Sequence, residues 1–187
     1  MSKRVCPWWL GYFLASPLRR LVYDPASILA PYVRSGMTVL EPGPGMGFFT
    51  LELARRVGPS GRVVAVDVQP RMIAGLKRRA ARAGVAERLD ARLAAPDCMN
   101  VEDLAGAVDF TLAFAVAHEM PAPGSFFAEV AKASKPGAAV LFAEPAGHVS
   151  VGEWEAELHA ASQAGFVLTD RPPMRRSLAV VLKKPAA

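Results

Sequence analysis

An apolar strand that runs into an acid and then into three alternate glycines constrains this chain more than any other stretch. The residues are Val39-Leu-Glu-Pro-Gly-Pro-Gly-Met-Gly-Phe-Phe-Thr50. Gly43, Gly45 and Gly47 remove three Cβ atoms from one turn, so a ligand can touch bare backbone. The helix predicted next, over Phe48 to Val57, points its first N–H groups at that ligand. Three spaced glycines make a turn costly to order, and a bound cofactor gives that cost a use. A dinucleotide loop places its glycines as G-x-G-x-x-G, but the third would fall on Phe48. A P-loop ends in Gly-Lys-Ser/Thr, which occurs nowhere in the sequence.

Arg62-Val-Val-Ala-Val-Asp67 is a second apolar run ending in a carboxylate. A continuous apolar strand suits a parallel sheet covered on both faces. An acid at its carboxyl end can accept from both hydroxyls of a ribose. Asp67 lies 26 residues after Glu41, the length of one strand–helix–strand unit. Asp67 can equally cap the helix opened by Pro70.

Helical and strand patterns alternate along the rest of the chain. Short helices are predicted at Pro17 to Leu21 and from Asp24-Pro25 to Val33, each with an N-cap followed by proline. Strands are predicted at Thr38 to Glu41, Arg62 to Asp67, Leu89 to Leu93, Val108 to Phe114 and Ala138 to Glu144. Between them lie helices at Phe48 to Val57, Pro70 to Ala83 and Ser125 to Lys132. Ser150-x-x-Glu153 reads as a capping box for a helix carrying Trp154, Leu158 and Ala161. Alternation of this kind implies a doubly wound parallel α/β sheet. The last strands, Phe166 to Thr169 and Leu178 to Leu182, are too close for a helix between them and pair as an antiparallel hairpin. With 187 residues, 52% hydrophobic and 21% charged, the chain is most simply one globular domain. No run of 18 apolar residues marks a membrane span. The net charge of +5 is scattered over pairs such as Arg55-Arg56 and Lys183-Lys184 rather than gathered into a nucleic-acid patch. Two cysteines, Cys6 and Cys98, make no disulfide framework, which fits a cytoplasmic home.

The pattern E-x-G-x-G-x-G resembles motif I of the class I S-adenosylmethionine (SAM) methyltransferases, and the likeness extends over roughly Gly36 to Lys184. The resemblance implies a Rossmann-like, seven-stranded sheet in three α/β/α layers, mostly parallel and ending in the antiparallel hairpin. It implies SAM as cofactor and S-adenosylhomocysteine as product. Glu41 would face the cofactor's ammonium, and Gly43, Gly45 and Gly47 would cradle its methionine part. Asp67, with Val68 beside it, would hold the ribose. Asp97 would take the adenine amino group and the Cys98 N–H the ring, with Phe114 at the end of the fourth strand completing the cofactor set. The domain so defined is 36–187. Residues 1–35 form an extension whose Trp8, Trp9, Tyr12 and Phe13 make it a candidate lid, dimer patch or membrane-interface anchor.

Substrate chemistry in such sheets lies at the carboxyl ends of the strands. There the sequence reads Phe114-Ala-Val-Ala-His118-Glu119-Met-Pro121. The Asn/Asp-Pro-Pro-Tyr/Phe motif of nucleobase amino methylation is absent, so a small-molecule acceptor is expected. His118 and Glu119 are the catalytic candidates, His118 because it titrates near neutrality, Glu119 if burial raises its pKa. Glu144 and His148 arrive at the same sheet edge. No short ligand spacing indicates a metal, and none is expected. Alternatives are a nucleic-acid or protein methyltransferase and a non-catalytic SAM-binding module. An NAD-dependent oxidoreductase fits less well, because of Phe48 and the final hairpin.

Overall fold

The computed structural model describes residues 7–9, 11, 13, 15–95, 97–120 and 122–186. Cys6, Tyr12 and Pro121, which entered the sequence reading, lie outside them. The chain divides into two compact units, one within residues 6–94 and the other within 95–187.

In the first unit, Asp24 caps helix α1 (Pro25–Leu29), its carboxylate accepting from the Ala26 and Ser27 N–H groups. Strands β1 (Thr38–Pro42), β2 (Arg62–Asp67) and β3 (Leu89–Leu93) run parallel, with Glu41 opposite Ala65 and Asp67 opposite Leu93. Val63, Val64 and Ala65 are completely buried, as an unbroken apolar run between two helical layers requires. Helix α2 (Thr50–Val57) begins two residues later than the sequence pattern implied. Gly45 and Gly47 hold φ of +54° and +85°, a left-handed backbone that delays helix entry. Helix α3 (Pro70–Arg82) buries Met72, Ile73, Leu76 and Ala80, the expected stripe.

In the second unit, β4 (Val108–Phe114) and β5 (Ser134–Pro145) are parallel, and β7 (Ser177–Lys183) runs antiparallel to both β5 and β6 (Val167–Asp170). β5 is four residues longer at its start than predicted. Helix α4 (Pro123–Ala133) leads straight into it, and Lys135-Pro-Gly sits at a register shift against β4. Helix α5 (Val151–Gln163) carries the predicted capping box: the Glu153 N–H donates to Ser150 Oγ, and the Ser150 N–H donates to Glu153 Oε2. Its buried face is Trp154, Glu157 and Ala161; Leu158, read from the sequence as carried with Trp154 and Ala161, is only half-buried, and Glu157 takes the core position. Trp154 stacks on Phe142 at 5.0 Å, and Phe127 meets Phe142 edge-on at 5.3 Å.

The strand order is β3-β2-β1 in the first unit and β4-β5-β7-β6 in the second. In the first unit β1, β2 and β3 share one direction; in the second β4, β5 and β6 share one and β7 is reversed, as the closing hairpin requires.

Candidate functional site

The first unit gathers Glu41, the glycine loop and Asp67. Strand β1 carries Glu41 inward, where it is 3% exposed. Burial pushes its pKa up to about 8, the Thr50 hydroxyl opposing and the neighbouring Asp67 charge adding. Its Oε2 has no hydrogen-bond partner among the described residues, and a buried carboxyl oxygen left so is an expensive feature. The Gly43 N–H donates to the Val66 carbonyl at 2.9 Å, tying the loop to the end of β2. Asp67 faces the same loop: Oδ2 accepts from the Gly45 N–H at 3.3 Å, and Oδ1 from the Gln69 N–H at 2.8 Å. Its pKa rises to about 6, burial outweighing those two backbone bonds, so Asp67 is mostly ionised at neutral pH. Each of its oxygens keeps a lone pair for a further donor. Val68 follows, half-buried.

The glycines divide by role. A Cβ on Gly47 would lie 2.5 Å from Leu76 Cδ1, so its bareness lets the loop pack on α3. A Cβ on Gly45 would meet nothing within 4 Å, so here bare backbone borders open space. An acid with one unpartnered oxygen, an ionised acid with spare lone pairs, and bare backbone between them fit a ligand carrying a cationic group and neighbouring hydroxyls. SAM has both.

The N-terminal segment packs on this loop. Arg79 of α3 donates to the carbonyls of Met46 and Ala15. Gly11 sits against Met72 and Met46, where a Cβ would come within 2.6 Å of the Met72 sulfur. Arg71 lies over the Trp8 ring at 4.3 Å. Trp9 and Phe13 are 59% and 70% exposed.

The second unit gathers the catalytic candidates. Phe114 ends β4, buried. Ala115 takes a left-handed φ of +55°, a strained setting for a residue with a side chain. The chain then turns through Ala117–Glu119. Glu144, completely buried on β5, receives that turn. Its Oε1 accepts from the Ala117 N–H at 2.8 Å and the His118 N–H at 3.2 Å, and its Oε2 lies 2.6 Å from His118 Nδ1. His118 Nε2 stands 4.0 Å from Glu119 Oε1, and the His148 ring centroid is 6.4 Å from that of His118. The hydrogen bond to Glu144 raises the His118 pKa, burial opposes it, and the charges of Glu144, Glu119 and Glu157 add to the rise. Sequence reasoning brought Glu144 to this edge but missed its bond to His118, and missed Glu157 altogether. The available signal for Glu157 was an acid three residues after Trp154 on a capped helix.

Asp97 is exposed in a turn closed by an Ala95–Cys98 bridge, where the Cys98 N–H points to the Ala95 carbonyl at 3.4 Å. The Met99 N–H donates to Glu129 at 2.9 Å, fixing the end of that turn.

Residues 33–171 match the family model described as a methyltransferase domain. An arsenite methyltransferase of Halobacterium salinarum is 30% identical over 109 residues, 58% of this chain and 27% of the relative. A catechol O-methyltransferase of Mycobacterium tuberculosis is 41% identical over 76 residues, 41% of this chain and 34% of the relative. The chain thus spans about a quarter to a third of the length of these curated relatives. A SAM-dependent methyltransferase from Aquifex aeolicus superposes with a TM-score of 0.86 at 23% identity, covering 96% of this chain and all of the other. With the glycine loop, the reversed last strand and a family match over most of its length, the chain belongs to the class I SAM-dependent methyltransferases.

Proposed function

We propose that the protein transfers the methyl group of SAM to a small acceptor whose attacking atom carries a proton. The observation that carries this reading is the pairing of Glu41's unpartnered Oε2 with the Asp67 carboxylate beside the open Gly45 backbone. Glu41 meets the cofactor's ammonium and Asp67 its ribose hydroxyls. Gly43, Gly45 and Gly47 shape the loop, and Val68, Asp97, Cys98 and Phe114 complete the set. When bound, SAM would supply a methyl activated on a sulfonium, which the acceptor's lone pair can take directly as S-adenosylhomocysteine departs as the neutral thioether. The protein's contribution is then mainly orientation, worth up to roughly 7–11 kcal/mol.

His118 takes the acceptor's proton at Nε2, and Glu119, 4.0 Å from that atom, stabilises the resulting imidazolium. The names of both curated relatives, for arsenite and catechol, favour a small acceptor. Residues 36–187 act as the catalytic domain. The extension before them, held to the loop through Arg79 and Gly11, serves as a lid. Sparse cysteine usage favours a cytoplasmic home. Among the described residues no helix is long and apolar enough to cross a membrane.

The test is S-adenosylhomocysteine formation over a panel of small hydroxyl, thiol and amine acceptors, against transfer RNA, duplex DNA and protein. Acceptor-dependent turnover with members of the small-molecule panel is expected. Turnover confined to nucleic acid, falling steeply with salt, or no turnover with any acceptor despite tight SAM binding, contradicts it.

A further inference from the structure

We infer that Glu144 is a positioning residue that fixes the tautomer of His118, placing its proton on Nδ1 and leaving Nε2 as the proton acceptor. The inference rests on the proposed role of His118 only for its catalytic consequence. The tautomer follows from the hydrogen bonds made to the Glu144 carboxylate.

Glu144 is completely buried, and its two oxygens do different work. Oε1 is occupied by two backbone donors, the N–H groups of Ala117 and His118. Oε2 faces His118 Nδ1 at 2.6 Å. A carboxylate only accepts, so Nδ1 must donate, and in the neutral ring Nε2 then keeps its lone pair. The backbone is arranged for this: Ala115 holds its left-handed φ immediately before the turn that aims both N–H groups at one oxygen. The other ionisable groups facing the ring are Glu119 on its own turn, Glu157 on α5 and His148 beyond β5. Glu144 Oε2 lies at 2.6 Å from Nδ1, whereas Glu119 Oε1 stands at 4.0 Å from Nε2.

The two backbone donors make the consequence of Glu144→Gln specific. A glutamine of the same shape must turn its carbonyl oxygen towards the Ala117 and His118 N–H groups. The reverse orientation would set its NH₂ against two donors. Its NH₂ therefore faces Nδ1, which must become the acceptor, and the ring proton moves to Nε2. The substitution preserves packing and inverts the tautomer, so it removes the base without removing the histidine.

Long-range ¹H–¹⁵N NMR of the histidine rings in the full chain tests this without acceptor or turnover. In the wild type, the neutral form of His118 should show a protonated Nδ1 and an unprotonated Nε2. In Glu144→Gln the pattern should reverse, and the His118 titration midpoint should fall. Turnover should drop on the order of 10²-fold or more, with SAM affinity changed less than about twofold. A wild-type ring protonated on Nε2, or divided evenly between tautomers, overturns the inference even if the variant fails to fold. So does a folded variant with the wild-type pattern. If the tautomers behave as expected while loss of His118 leaves turnover intact, the base assignment fails and the positioning stands.

Discussion

Replacing Glu41 by glutamine should weaken SAM binding roughly 10- to 100-fold while making the free protein less sensitive to rising pH. The first effect is the loss of a charge-assisted contact to the cofactor's ammonium, about 1.5–3 kcal/mol, with about 1.4 kcal/mol for each factor of ten. The second follows from burial. Glu41 titrates at about 8 rather than the ordinary 4.5, so the folded protein holds this proton more tightly than the unfolded chain. That stabilisation is complete below pH 4.5 and is lost as the pH climbs towards about 8. At about 1.4 kcal/mol for each pKa step, the change amounts to several kcal/mol. Asp67, raised from 3.8 to about 6, and His118, also raised, act in the same direction, so the variant keeps a residual slope. Thermal unfolding at pH 5, 6.5 and 8 is the measurement. Wild-type stability should fall across this window and Glu41→Gln stability should fall less. Parallel curves would mean that Glu41 is already ionised in the free fold, and SAM affinity unchanged by the substitution would remove it from the cofactor site.

Loss of His118 should have the larger kinetic effect. His118→Ala should lower turnover by roughly 10²- to 10⁴-fold, the range of a positioned acid–base group, with SAM affinity near the wild-type value. The wild-type rate should rise with pH through a midpoint above 6.5, because the base must first shed the proton that Glu144 stabilises. The alanine variant should lose this limb of the pH profile. Glu119→Gln should keep the limb with its midpoint lowered, since Glu119 adds to the rise of the His118 pKa. If Glu119→Gln instead abolished turnover and His118→Ala did not, the two roles would have to be exchanged.

Local features were the most legible in the sequence. The acid–glycine pattern after β1, the carboxylate ending β2 and the capping box at Ser150 each lie within a few residues, and each forms as read. The reversed final strand followed from a connection too short for a helix. Features that depend on distant parts of the chain were not legible. The bond between His118 and Glu144 joins residues 26 apart, and only folding shows that one Glu144 oxygen is claimed by two backbone donors. Glu157 broke the apolar pattern of its helix, and its burial depends on what packs over that face. The late start of α2 came from the φ angles of Gly45 and Gly47, which a helical periodicity does not register. Gly47 read as one of three equivalent ligand-facing glycines, whereas its bareness is also demanded by Leu76.

Calorimetric titration of the wild type and Asp67→Ala with SAM, S-adenosylhomocysteine and NAD tests most directly whether the loop and its two acids hold an adenosyl sulfonium. The wild type should bind the first two and not NAD, and the variant should bind both much more weakly. Saturable NAD binding without SAM binding, or undiminished SAM affinity in Asp67→Ala, would contradict it.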